Sequence, residues 1–278
     1  MITGKWRRRL AKLGLYLPLT MAAIAVLFPL VFAVGTSLTS PADQGTYPPK
    51  LMSWPPYFKS YPEALTIAPI GRFIWNSFII STAVTLGQLV TASLAAFAFS
   101  FLQFRGRNLV FYIFLSTMMI PAEATLVPNY LTVRALAWTD NYLGFTVPFL
   151  ATAFGTFLLR QFFLQLPREL YDAARIDGAS PFRFYWQVVL PLSRPALATL
   201  GVYSFLHTYN MYLWPLLITN SEKMRTVQIG IRMLMWDEAL DWNRVMAGVA
   251  MVILPSILLL IFGQKQLIRG LTAGALKG

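Results

Sequence analysis

Residues 13–42 contain no charged side chain, and neither do residues 73–104. A helix needs roughly 20 apolar residues to cross the hydrocarbon of a bilayer. In that solvent every peptide group must be paired within the chain, so only helices and closed barrels span it. Of the 278 residues, 56% are hydrophobic and only 12% charged, against about 25% charged in a soluble domain. Mean hydropathy is +0.57. An ordinary soluble domain is thereby excluded. The fold expected is all-α: a polytopic membrane protein with six transmembrane helices.

Lys5, Arg7, Arg8, Arg9 and Lys12 make residues 1–13 a basic head, followed by span 1 at 14–38. A basic head and an apolar run also outline a signal peptide. This run is longer than an ordinary signal core and shows no convincing small-residue cleavage site, so it reads as an uncleaved span. Residues 41–72 are rich in proline and aromatics and read as an external loop with one short helix. Its Trp54, Tyr57 and Tyr61 suit a membrane–water interface. Span 2, at 73–104, carries Asn76 and Ser77 near its start and then Ala92, Ser93, Ala95, Ala96 and Ala98, small residues that let helices approach closely. Arg105 and Arg107 close it. Span 3, at 108–131, is interrupted by Pro121, Glu123 and Pro128; such backbone is tolerated where it is buried in protein or lines a wet cavity. Span 4 covers 141–159, span 5 covers 196–219 and span 6 covers 245–264. A mixed loop, 222–244, separates the last two. A tail rich in small residues, 265–278, follows.

Of the 23 Lys and Arg residues, 15 fall in the head, the 105–107 turn, the 160–194 stretch and the tail. The positive-inside rule therefore places both termini and the stretch between spans 4 and 5 in the cytoplasm. Topology explains the net charge of +12 better than a nucleic-acid partner does. There is no cysteine, and the single histidine, His207, has no His/Asp/Glu cluster around it in the sequence. Neither a metal site nor a catalytic constellation is expected. No GxxxxGK[ST] phosphate loop is present, so the chain itself is not expected to bind ATP. Polar groups at or near membrane depth are Asn76, Glu123, Asn129, Tyr209 and Asn210. They are candidates for lining a pore, and helix–helix hydrogen bonding is the plainer role for each. Glu123 is the only acid inside an expected span, placed either at a cavity or at the membrane edge. His207 reads as an interhelical hydrogen-bonding residue.

The stretch 166–195, LPRELYDAARIDGASPFRFYWQVVLPLSRP, is polar where its neighbours are not. Leu170, Ala173, Ala174 and Asp177 recur at helical spacing. Glu169 and Asp172 sit in the early turns, where the helix dipole favours acids. Gly178 stops the pattern as a C′ glycine does. Ser180-Pro181 restarts it with an N-cap and a proline at N1. Phe182, Tyr185, Trp186 and Val189 form a second helical face, which Pro191 ends. Two short helices joined by a glycine turn could lie on lipid as an amphipathic hairpin or receive another protein against the small Ala173–Ala174 face. The residues alone leave both readings open.

DAARIDG at 172–178, nine further residues, and VVLP at 188–191 resemble the EAA loop of ABC importer permeases. The family pattern is EAA, three residues, Gly, nine residues, Ile, any residue, Leu-Pro. Ala173, Ala174, Gly178, Leu190 and Pro191 match; Asp172 replaces the usual Glu and Val188 the usual Ile. Asn76-Ser77, FGTFLLRQFF at 154–163, YNMYLWPLL at 209–217 and the closing RGLTAGALKG are similar to carbohydrate-type permeases, in particular the shorter membrane subunit of maltose-type importers. MIPAEATLVP at 119–128 resembles glycerol-3-phosphate permeases.

The resemblance implies a type I ABC importer transmembrane domain over 14–264. Its loop 166–195 would be a coupling helix seated in a cleft on a cytoplasmic ATPase, with Asp172, Ala173, Ala174, Asp177, Gly178, Leu190 and Pro191 in contact. Ala273, Gly274, Lys277 and Gly278 of the tail would also reach that interface. Implied partners are a homologous second permease forming a heterodimer and two cytoplasmic ATP-binding subunits, which hold the ATP and Mg. An extracytoplasmic solute-binding protein would touch loops 41–72 and 222–244. Membrane lipid surrounds the whole, and no nucleic acid is involved. The chain would bind no cofactor and catalyse nothing, and would sit in a bacterial or archaeal cytoplasmic (inner) membrane. Its solute would be a sugar, an oligosaccharide or a glycerol-phosphate-type compound. The alternative is a stand-alone secondary transporter or channel. That would need an intramembrane relay, for which only Glu123 and His207 are available.

Overall fold

The computed structural model describes residues 3–48, 50–235 and 241–272, and the side chains of 14–48, 50–235 and 241–264. Among them every regular element is helical. In order these are α1 (Thr3–Ser37), α2 (Ser60–Ile67), α3 (Ile70–Phe101), α4 (Arg107–Ser116), α5 (Ala122–Ala135), α6 (Tyr142–Thr146), α7 (Ala153–Phe163), α8 (Glu169–Ile176), α9 (Pro181–Phe184), α10 (Leu190–Leu192), α11 (Arg194–Tyr209), α12 (Leu213–Ile218), α13 (Val227–Leu234) and α14 (Trp242–Thr272). Three stretches, Gly14–Ser37, Ile70–Phe101 and Trp242–Gln264, are each long and apolar enough to cross a membrane. Three bent pairs reach the same length and composition. Arg107–Met119 with Ala122–Ala135 bends by 97°, Tyr142–Phe149 with Ala153–Phe163 by 44°, and Pro181–Leu192 with Arg194–Tyr209 by 77°. Counted as one span each, the pairs bring the total to six.

Four details depart from the pattern expected. The break in span 3 falls at Pro121, whereas Pro128 lies inside α5; helices in lipid tolerate proline when neighbouring groups re-satisfy the freed carbonyl. Span 5 is not continuous: α11 ends at Tyr209 and α12 begins at Leu213. Pro191 does not end its helix, which continues to Leu192. A π-helical turn over Tyr185–Val189 widens the coil just ahead of the proline ring and relieves the clash that stops an ordinary helix. Finally, the loop 222–244 contains a helix, α13.

The chain forms two compact units. One comprises Met1–Ile70 with Ile231–Ile253, the other Gly71–Gly230 with Leu254–Gly278. In the first, Leu15, Leu17, Ile24, Val26 and Phe28 of α1 are all exposed, so this part of the helix is bare all round, a surface suited to hydrocarbon and not to water. The loop that follows is tied by polar contacts. Tyr57 N–H donates to the Leu38 carbonyl at 3.0 Å, and Asn243 Nδ2 donates to the Thr39 carbonyl at 3.1 Å. Arg244 Nε reaches the Glu63 carboxylate at 3.0 Å, and Tyr57 Oη donates to the same carboxylate at 2.8 Å. Asp43 is met by Lys50, Ser53 and Ser40.

In the second unit α3 is the spine. It is 32 residues long, about 48 Å at helical rise, and its polar side chains each hold a different neighbour. Asn76 Nδ2 donates to the Lys223 and Arg225 carbonyls at 2.8 and 2.9 Å, and its Oδ1 accepts from Tyr142 Oη at 2.9 Å. Ser77 Oγ accepts from the Val227 N–H at 3.0 Å. Gln88 Nε2 donates to the Phe149 carbonyl at 2.8 Å while its Oε1 accepts from Ser204 at 2.6 Å. Thr91 donates to the Leu150 carbonyl at 2.6 Å. Ser93 Oγ and Tyr185 Oη share a hydrogen bond of 2.8 Å. At Gly87 a Cβ would run into the Leu150 side chain, so the glycine is what lets that segment come so close. One end of the spine packs into a cluster of Phe97, Phe101, Leu159, Phe163, Phe184, Tyr185, Val189 and Leu200. Towards the other, Ile80 and Val84 pack with Val133, Phe145, Trp214 and Ile218.

Hydrogen bonds from Lys50 and Ser53 hold the Asp43 carboxyl at a pKa of about 2, below an ordinary value of 3.8. A depressed carboxylate contributes stability that is fully present above the ordinary value and lost as pH falls through the folded one. Limited proteolysis of the 41–59 loop should therefore show constant protection above about pH 4 and loss of it between about pH 4 and 2. In Asp43→Asn that step should vanish.

Candidate functional site

The stretch 166–195 folds as two short helices set on the bundle's phenylalanine-rich end. α8 closes in a Schellman arrangement: Ala179 N–H donates to the Ala174 carbonyl at 2.8 Å and Gly178 N–H to the Arg175 carbonyl at 3.1 Å. Gly178 has φ +74°, a conformation open to glycine and costly for other residues. Ser180 then caps α9, its Oγ accepting from the Arg183 N–H at 3.2 Å, with Pro181 at the first helical position.

One side of this pair is cemented down. Phe184 packs edge-on to Phe101 at 5.3 Å and to Tyr171 at 5.0 Å. Tyr185 sits 5.2 Å from Phe97 and bonds Ser93. Val189 is fully buried, and Ala174 packs on the same cluster. The other side is bare. Asp172, Ala173, Asp177 and Gly178 are exposed, as are Ile176 at 87%, Phe182 at 65% and Trp186 at 64%. The alanine pair is thus split: Ala174 faces the chain's own core and Ala173 faces out. Leu190 is half-buried and Pro191 exposed. A cavity of about 470 Å³ opens beside α8, lined by Ser100, Gln103, Arg168, Tyr171, Asp172 and Arg175. The tail residues Ala273, Gly274, Lys277 and Gly278 lie outside the described residues.

The polar groups expected at membrane depth separate into two sets. Glu123 and Asn129, from α5, meet His207, Met211, Tyr212 and Trp214 around a cavity of about 290 Å³. Glu123 stands in the first turn of α5, where the helix dipole favours it. Asn210, with His207 and Met211, lines a neighbouring cavity of about 470 Å³. Its side chain also donates to the Leu206 carbonyl at 2.8 Å and accepts from Gln228 at 3.2 Å. Asn76 and Tyr209 lie elsewhere and line neither cavity. Asn76 is 3% exposed and spends its amide on the 223–225 carbonyls. Tyr209 is 2% exposed, its ring stacked on Phe205 at 5.7 Å. His207 stacks on Tyr203 at 5.8 Å and faces the cavities.

Asp140 was not singled out in the sequence. Burial pushes its carboxyl up, but the N–H groups of Ser221 and Asn220 outweigh this and hold it below the usual value. These bonds, at 3.0 and 2.9 Å, cap the chain as it leaves α12. The available signal was the Thr-Asp-Asn turn at 139–141, where Asp140 adopts φ +54°.

Among the described residues, helices alone, three continuous candidate spans, three bent pairs of the same length and a capped helix pair fit a membrane permease of the ABC importer type. The family described as binding-protein-dependent transport system inner membrane component matches residues 88–272, and the chain belongs to it. It is 38% identical over 267 residues to the sn-glycerol-3-phosphate transport system permease protein UgpE of Brucella melitensis, covering 92% of this chain and 94% of that one. To the protein of that name in Pectobacterium atrosepticum it is 42% identical over 205 residues, 73% of each. Among solved structures, a bacterial ABC transporter involved in the import of the acidic polysaccharide alginate superposes with a TM-score of 0.78 at 25% identity, over 92% of this chain and 96% of that one.

Two substitutions test the local geometry. Asn76→Ala leaves two carbonyls without a donor and should cost about 1–3 kcal/mol, read as a lower thermal midpoint of the purified protein. Gly178→Val forces a β-branched residue to positive φ and should cost about 1–2 kcal/mol, read in the same assay.

Proposed function

We propose that the helix pair 166–195 is the surface through which a separate ATPase drives this permease. The observation that carries the reading is its two-sidedness: a rigid attachment to α3 and α7 on one side, an unpartnered face on the other. Asp172, Ala173, Asp177 and Gly178 make the contact. Ala173 lets a partner's backbone approach, and Ile176, at 87% exposure, supplies an apolar knob. Ala174, Leu190 and Pro191 serve by seating the pair on the bundle. Two cytoplasmic subunits bind and hydrolyse ATP with Mg, and this chain supplies no catalytic group. The residues 273–278 reach the same interface. A homologous second permease completes the pore, and both termini lie in the cytoplasm.

The solute is a sugar, an oligosaccharide or a glycerol-phosphate-type compound, delivered by an extracytoplasmic binding protein. The names of the relatives support that class, and so does the chemistry of the Glu123–Asn129–His207 cavity, which offers both donors and acceptors beside the Trp214 and Tyr212 rings. This cavity is the chain's contribution to the solute path. The loops 41–72 and 222–244 meet the binding protein.

The test is Ala173→Trp in the assembled transporter. Ala173 is exposed, so the substitution should leave stability within about 0.5 kcal/mol while abolishing uptake and solute-stimulated ATP hydrolysis. Ala174→Trp should instead overpack the phenylalanine cluster and cost about 1–3 kcal/mol. Normal uptake by a correctly assembled Ala173→Trp variant, or uptake by the chain without any ATPase, would overturn the assignment.

A further inference from the structure

We infer that the notch between α4 and the end of α7 binds the headgroup of an anionic phospholipid, with Arg107 and Arg160 as its phosphate ligands. Arg160 is held in place by groups that do not neutralise it. Its guanidinium carbon lies 4.0 Å from the centre of the Phe111 ring, and its Nε donates to the Phe99 carbonyl at 3.4 Å. Phe111 is itself fixed, buried at 3% exposure and packed 5.3 Å from Phe99. Arg107, from the first turn of α4, donates through Nη1 to the Leu102 carbonyl at 3.1 Å. The two guanidinium groups thus bond carbonyls only three residues apart at the end of α3, Phe99 and Leu102. Among the described residues the ion pairs are made by Asp43, Glu63 and Asp241, and neither arginine has a carboxylate partner.

Two like charges held together with no counter-charge want an anion. A guanidinium with its stem anchored and its outer N–H groups turned free presents the planar fork that binds phosphate. What flanks the pair identifies the source of that phosphate. Leu109, Tyr112 and Ile113 form one stripe of α4 and are 64%, 66% and 60% exposed, with Phe104 and Val110 beside them. A basic pair at the end of an exposed apolar stripe matches a molecule with a phosphate head and hydrocarbon tails. Free phosphate would use the pair and leave the stripe uncovered. The site sits where α7 runs into the polar stretch, so a lipid there braces α7 against α4.

The test uses the assembled transporter in nanodiscs of phosphatidylcholine with and without phosphatidylglycerol. Native mass spectrometry counts the lipids retained. Wild type should retain phosphatidylglycerol in preference to phosphatidylcholine. Arg107→Gln and Arg160→Met should each weaken that preference roughly fivefold, Arg160→Lys less, and Arg105→Met, on an exposed neighbour in the same turn, not at all. Arg107 is half-buried and bonds Leu102, so thermal midpoints of both variants, measured alongside and expected to stay near wild type for Arg107→Gln, separate lipid loss from misfolding. Excess inorganic phosphate should not displace the lipid. Equal retention of both lipids by wild type, unchanged retention in Arg107→Gln, or displacement by inorganic phosphate would each overturn the assignment.

Discussion

A helix in hydrocarbon can leave no peptide group unpaired, and three of the span-length stretches of this chain are bent helix pairs. Each break frees carbonyls and N–H groups that lipid cannot satisfy. The structure depends on where they go. One break, between α6 and α7, is answered from α3, whose Gln88 and Thr91 take the Phe149 and Leu150 carbonyls; elsewhere on the same helix Asn76 and Ser77 take the backbone between α12 and α13. Asp140 and Trp214 hold further backbone, capping Asn220 and Ser221 and bonding the Gly144 carbonyl at 3.1 Å. A polar side chain in a transmembrane helix is commonly suspected of lining a channel. Here several are the partners that allow other helices to be discontinuous.

The division of labour within 166–195 follows from a helix of two faces. Tyr171 and Ala174 fall on one side of α8, with Ala173 and Ile176 on the other. Because Phe184 and Tyr185 pin the second helix to the same cluster, the pair has little freedom to swing by itself. An amphipathic hairpin lying on lipid would turn its bulky apolar residues to the membrane. Here Phe184 and Tyr185 are buried in the protein instead, while Phe182 and Trp186 stay exposed.

Much of this was legible in the sequence. The uncharged runs marked the three continuous spans, and Pro121 marked one break, because proline and hydropathy act locally. The capped turn was readable from Gly178 and Ser180-Pro181 for the same reason. What the sequence did not disclose depends on distant partners. Nothing in the vicinity of Asn76 says that its amide meets carbonyls nearly 150 positions away. Span 5 looked unbroken because Asn210 and Met211 do not interrupt an apolar average, and Pro191 looked like a stop because a π turn leaves no residue signature. The Ala173–Ala174 pair was read as one face, whereas a rotation of about 100° separates successive residues.

Asn76 and Ser93 are 17 positions apart on one uninterrupted helix, about 26 Å at helical rise, close to the hydrocarbon thickness of a bilayer at about 30 Å. One is latched to the backbone after α12, the other to Tyr185 in the stretch 166–195. Neither latch includes a flexible linker, and no proline interrupts α3 between them. One uninterrupted helix therefore joins the Tyr185 hydroxyl to the 223–227 backbone directly, like a rod pinned at both ends, with no loop in between.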